Sequence, residues 1–148
     1  DKELCLFQLE VKDQKELFQV MSEQLKNAGC VKDSFLEGIT NREQEFPTGL
    51  EVNQIGFAIP HTDSAHVNSS QICFASLKEP LVFSDMTDKS HEIPVRLVFM
   101  LAMSQPHEQI DTLQNLVSLF QNEEKVNELL ACTTKEAFIE LVHSAGVY

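Results

Sequence analysis

The 148-residue chain is 43% hydrophobic and 23% charged, which fits one globular domain over residues 1–148 with a sizeable core. Its formal charge of −12, from 11 Lys and Arg against 23 Asp and Glu, argues against nucleic acid or an anionic membrane as a partner and suits a basic protein surface. The longest apolar run, residues 95–103, is interrupted by Arg96 and too short to cross a bilayer, so no direct membrane insertion is expected; no secretory leader is visible, and the expected location is cytoplasmic.

Residues 4–11 (LCLFQLEV) predict a first strand. Asp13 with Glu16 three residues later has the spacing of a capping box, and Leu17, Val20, Met21 and Leu25 follow at helical intervals. That helix is expected to stop near Ala28-Gly29. Asp33 marks a second helix start, continued by Phe35, Leu36 and Ile39 to about Glu45 and broken by Pro47-Thr48-Gly49. Ile55 to Pro60 is a short apolar run between Gly and Pro and reads as a buried strand ending where Pro60 cannot donate to a ladder. A polar loop, 62–70, leads to expected strands at 72–77 and 81–83, joined by a turn at Lys78-Glu79-Pro80.

Residues 85–92 read as a charged surface turn, and 94–103 (PVRLVFMLAM) as a strand apolar enough to need cover on both faces. Pro106 opens a helix carrying Ile110, Leu113, Leu116, Val117 and Phe120. Helices over 123–131 and from Thr133, with Glu136 in capping-box spacing, complete the chain. The expected architecture is α/β: a mixed central β-sheet flanked by helices on both faces, mixed because the middle strands are joined by connections too short for parallel crossovers. The four cysteines show no CxxC pair and no zinc spacing, and read as reduced small hydrophobes.

Chemistry concentrates on histidine. His91 and His143 read as solvated surface residues, but His61 stands at the exit of a buried strand, where α/β folds gather function. His107 follows another buried strand and falls in the first turn of a helix, a position that favours an anion. If the two strands are parallel neighbours, both imidazoles reach one cleft. One could then attack a phosphorus in line while the other donates to the phosphoryl oxygens. Asp63 is a candidate for orienting His61, or simply for capping the turn. A metal site from His61, Asp63, His66 and His107 is an alternative of weak pattern. A hydrolase using His61 as a base lacks a Gly-flanked nucleophile.

The stretches GFAIPHTD around His61 and SQPHEQIDTLQNL around His107, with NREQEFPTGL upstream, resemble the enzyme IIA domain of the fructose/mannitol-type phosphotransferase system over essentially the whole chain. Thr62-Asp63 after the histidine, where many fructose- and mannitol-type members carry Gly, looks more like the galactitol-type branch. The resemblance implies a phosphocarrier with no cofactor. Its first histidine, His61 here, accepts a phosphoryl group from the phosphohistidine of the carrier protein HPr and passes it to a cysteine of the IIB component. It further implies that His107 stabilises the phosphoryl group and that Arg42 neighbours it, with Thr62 and Asp63 close by. The segment from Arg42 to His61 is longer than in mannitol-type members. An alternative within the same family is a regulatory, nitrogen-related IIA module whose phosphorylation state controls partner proteins.

Overall fold

The computed structural model describes residues 4–144. The first strand forms as β1 (Leu4–Leu9), followed by α1 (Gln14–Asn27). Asp13 accepts the Glu16 N–H at 2.9 Å, while the Glu16 carboxylate reaches back to the Lys12 N–H, also at 2.9 Å. The Glu16 N–H would otherwise be orphaned in the first turn. Gly29 takes φ 79°, the left-handed conformation that closes a helix C-terminus. Next comes α2 (Phe35–Glu45), which opens one residue beyond the expected Asp33, with Ser34 at the cap position. Asp33 instead forms an exposed ion pair with Lys26 at 2.9 Å.

Two expectations about strands are corrected. A strand that sequence reasoning passed over, β2 (Gly49–Val52), precedes β3 (Ile55–Ala58), and the pair is antiparallel with Val52 opposite Ile55. Asn53 and Gln54 between them have φ 52° and 69°. Successive positive φ values are what a two-residue hairpin turn demands, and Asn-Gln conceals a turn that Asn-Gly would have announced. Second, 72–77 and 81–83 belong to one strand, β4 (Gln71–Asp85). Lys78-Glu79-Pro80 is an irregularity within it, where the register against β5 (Asp88–Ala102) shifts between Ser76 and Leu81. The expected surface turn at 85–92 shrinks to Met86-Thr87, with Asp85 accepting from both the N–H and hydroxyl of Thr87 at 2.8 Å. Exposure of the outer arm gave its strand residues no hydrophobic alternation to be read by. The remaining helices are α3 (Pro106–Phe120), α4 (Glu123–Ala131) and α5 (Lys135–Ser144). Thr134, one residue later than expected, caps the last of these through a 3.3 Å bond from Ala137 N–H.

The sheet is mixed, in the order β1-β4-β2-β3-β5 with an added β4–β5 pairing. β4 and β5 form a long antiparallel hairpin, β1 joins β4 in parallel, and β3 joins β5 in parallel. β2 touches β4 at Gly49 and Asp85, so β4, β2, β3 and β5 close a circuit of pairings. On one face α1 and α2 bury Leu17, Phe18, Met21, Phe35 and Ile39 against Ala58, Val98 and Met100. On the other, α3, α4 and α5 bury Leu116, Phe120, Leu129 and Phe138 against Phe57, Phe74 and Phe99. Phe57 stacks on Phe120 with centroids 3.8 Å apart and planes at 12°, and Phe74 stacks on Phe138 at 4.4 Å. Alternate residues of one strand thus anchor opposite helical layers.

Gly56 lies so close to β5 that a Cβ there would run into the Pro94 carbonyl. Gly56→Ala is expected to destabilise the fold by about 3 kcal/mol, since backbone cannot yield as a side chain can. Gly29→Ala, strained only in φ, is expected to cost about 1–2 kcal/mol. Urea unfolding checks both, and a larger loss at Gly29 would contradict this account of the strand contact.

Candidate active site

β3 and β5 run in the same direction, with Phe57 opposite Leu97 and Ala58 opposite Val98, and Leu101 N–H continues the ladder to the Pro60 carbonyl at 2.9 Å. The segment after β3 and the start of α3 therefore leave the same end of the sheet. This is the arrangement on which convergence of His61 and His107 depended. Residues 61–62 lie between the two helical layers. From α2 the charge of Arg42 acts on His61, and from α3 Gln109 donates through Nε2 to the Thr62 carbonyl at 3.1 Å.

His61 is partly buried, and its Nδ1 lies 2.7 Å from the Ile59 carbonyl. A carbonyl only accepts, so Nδ1 carries the proton and Nε2 keeps its lone pair. Burial pushes the imidazole below its ordinary pKa and the Arg42 cation pushes the same way, against the Ile59 bond, which favours the charged ring. The side chain is consequently a neutral nucleophile with one nitrogen tied and one available. The orienting group is a main-chain oxygen, which leaves no trace in residue identity. Asp63, a sequence candidate for that task, is exposed and precedes a 3-10 turn, Ser64–His66, its own carbonyl accepting from His66 N–H at 3.2 Å.

Arg42 is half-buried in the last turn of α2. Its Nε is buried without a hydrogen-bond partner, and its Cζ lies 5.3 Å from the centroid of the Phe46 ring. Among the described residues Arg42 forms no ion pair, unlike Lys26 with Asp33 or Lys78 with Glu10, so no carboxylate neutralises this guanidinium. A buried donor with no acceptor, beside a neutral imidazole, is the polarity an incoming anion would satisfy.

Thr62 is buried, and it packs with His66 against α2 at Gly38. A Cβ on Gly38 would come within 2.9 Å of Thr62 Oγ1 and 3.1 Å of the His66 ring, so the absent side chain sets how closely the helix approaches this loop. His66 Nδ1 shares a 2.7 Å hydrogen bond with Ser34 Oγ at the start of the same helix. It is a fastening of the loop, facing α2.

His107 is exposed in the first turn of α3. The helix start offers an anion less than its position promises. Pro106 has no N–H, the N–H of Gln105 goes to the Glu108 carboxylate at 3.2 Å, and the N–H of Glu108 goes to the Gln105 carbonyl at 3.1 Å. Glu108 Oε1 also accepts from Ser70 Oγ at 2.8 Å and Ser104 Oγ at 3.3 Å, bracing the turn against the preceding loop. A carboxylate already occupies the positive end of the dipole. The backbone at this helix start therefore has little left to offer an anion. Gln109 and Glu108 escaped sequence reasoning because polar residues in a helix's first turns look the same whether they are solvated or bracing a loop.

Among the described residues no group of three or more His, Cys, Asp or Glu is placed to hold a metal ion, so the pattern His61, Asp63, His66 and His107 does not assemble as one. Over 118 residues the chain is 29% identical to the galactitol-specific EIIA component of the PTS system of Escherichia coli strain K12, covering 80% of this chain and 78% of that protein. Its fold resembles the crystal structure of IIA mannitol from Escherichia coli, with a TM-score of 0.76 at 21% identity over 95% of this chain and 96% of that one. It equally resembles the complex of enzyme IIAMTL and phosphorylated enzyme IIBMTL from Escherichia coli, with a TM-score of 0.76, 20% identity, and coverage of 97% and 96%. Residues 1–145 match the family described as phosphoenolpyruvate-dependent sugar phosphotransferase system, EIIA 2, and the chain belongs to that family, whose members are phosphotransfer components.

Proposed function

We propose that His61 is the phosphoryl acceptor of this component, taking the group from the phosphohistidine of HPr and passing it to a cysteine of IIB. The observation that carries this reading is the pairing of a tied Nδ1 with a free Nε2 beside an unneutralised Arg42. In the first transfer the Nε2 lone pair forms the new N–P bond as the donor's N–P bond breaks in line. In the second, the IIB thiolate forms a P–S bond and returns the electron pair to Nε2. Little acid–base work is needed, so positioning and charge compensation supply the catalysis.

Arg42 compensates the phosphoryl charge and His107 donates to it, with Thr62 and Asp63 flanking the group. The resemblance to a galactitol-specific EIIA component supports a polyol of that kind as the sugar served, and the similarity to a IIA in complex with phosphorylated IIB supports IIB as acceptor. Delivery to a IIB cysteine separates this reading from the regulatory, nitrogen-related one.

Incubation with phosphoenolpyruvate, enzyme I and HPr should label one acid-labile, base-stable site, and His61→Ala should take up no label; equal labelling of that variant would remove the proposal. His107→Ala is expected to accept the group yet pass it to IIB more slowly, on the order of 10²-fold for one lost donor. An unaltered forward rate would count against that role.

Neutral His61 is the attacking form, and its pKa lies below the ordinary value, so acceptance should hold its rate as pH falls to about 6.5 and decline only beyond it. A decline already under way above that pH would contradict the buried, Arg42-facing imidazole.

Exposed Phe46 and Ile110 beside the site offer apolar contact to HPr within an acidic surface. Association should slow as salt rises, and a salt-independent rate would sink the electrostatic part.

A further inference from the structure

Glu43 is a buried carboxylate that the transfer chemistry leaves unused. It is 7% exposed, and both of its oxygens serve a single residue: Thr48 N–H donates to Oε2 and Thr48 Oγ1 to Oε1, each at 2.8 Å. Burial pushes its carboxyl above the ordinary range while the two Thr48 bonds pull the other way. Withdrawing a carboxyl from water is costly, and a helix could be ended here more cheaply by a neutral side chain. What the expensive arrangement adds is fixed geometry.

Its place in the fold shows what is being fixed. Glu43 follows Arg42, and the turn it closes carries Phe46, whose ring lies beneath the Arg42 guanidinium. Thr48 precedes Gly49, which pairs with Ala58 on β3. β3 then leads through the Ile59 carbonyl to His61 Nδ1. Every link from the cation to the nucleophile is thus a covalent neighbour or a short hydrogen bond, and the clasp is the link that joins helix to sheet. Arg42 Nε makes no hydrogen bond of its own, so the guanidinium depends on its backbone and the ring below it for position.

We infer that the Glu43–Thr48 clasp is a positioning device for phosphoryl transfer, holding Arg42 at a set distance from His61 without touching the transferring group. The inference rests on His61 as acceptor, and it assigns Glu43 and Thr48 as positioning residues that act through Arg42. Loosening the clasp moves the cation relative to the developing charge.

The test is a double-mutant cycle on the full chain, with phospho-HPr as donor and folding checked by urea midpoint. Thr48→Val keeps the shape and the N–H bond and removes the hydroxyl; Thr48→Ser restores it. Thr48→Val should lower kcat for acceptance roughly 10-fold, as expected of a small misplacement at a reacting centre, with Thr48→Ser close to wild type. In an Arg42→Ala background Thr48→Val should cause no further loss. An equal loss in that background, or a lowered urea midpoint with kcat intact, would overturn the inference. NMR titration of His61 in the same four proteins reads the coupling without any transfer: Thr48→Val and Arg42→Ala should each raise the midpoint, and not additively. Failure of the wild type to accept phosphoryl would remove the acceptor reading, whereas a titration unmoved by Thr48→Val would remove the clasp.

Discussion

A hydrogen bond between the Ile59 carbonyl and His61 Nδ1 decides what this site can do, because it settles which nitrogen holds the proton and which way the ring faces. Ile59 sits just before a proline, and the ladder of β3 and β5 runs on through the Pro60 carbonyl. The acceptor oxygen is therefore held by the sheet itself. An exposed histidine on a loop would have an unfixed tautomer and a full hydration shell to shed. Here burial has removed much of that shell and favours the neutral ring.

Around this ring the two helical layers do different work. The layer of α1 and α2 brings the positive charge, with Arg42 left unpaired beside the imidazole and the bare Gly38 allowing the helix to settle against Thr62 and His66. The α3 layer braces the segment, Gln109 holding the Thr62 carbonyl and Glu108 tying the helix start to Ser70 and Ser104. Glu108 also makes the helix terminus a poorer anion trap than its dipole alone would be. Positive charge near the imidazole thus comes from Arg42 more than from the helix terminus.

Long apolar or strongly periodic segments declared themselves in the sequence. The β5 core, the apolar stripe of α3 and the Pro-terminated β3 read correctly because both their faces or their stops are written in residue type. β2 was hidden by its shortness and by an Asn-Gln turn, and the outer hairpin arm by exposure that removes alternation. Lys78-Glu79-Pro80 looked like a turn because Pro usually breaks a strand, yet β4 absorbs it by slipping register. In the site, His61 and His107 stood out in the sequence by their positions at a strand exit and a helix start, and Arg42 only through the resemblance. The groups that hold the surrounding segments, a main-chain carbonyl, an amide and a buried carboxylate, have no type-specific signature and emerge only when the chain is folded.

The most direct test is to phosphorylate the protein through HPr and read the modified ring by correlated 15N and 31P NMR. A phosphorus on Nε2 of His61, with Nδ1 still bearing its proton toward the Ile59 carbonyl, is the expected result. A phosphorus on Nδ1, or on any other residue, would contradict the claim that the carbonyl selects the nucleophile.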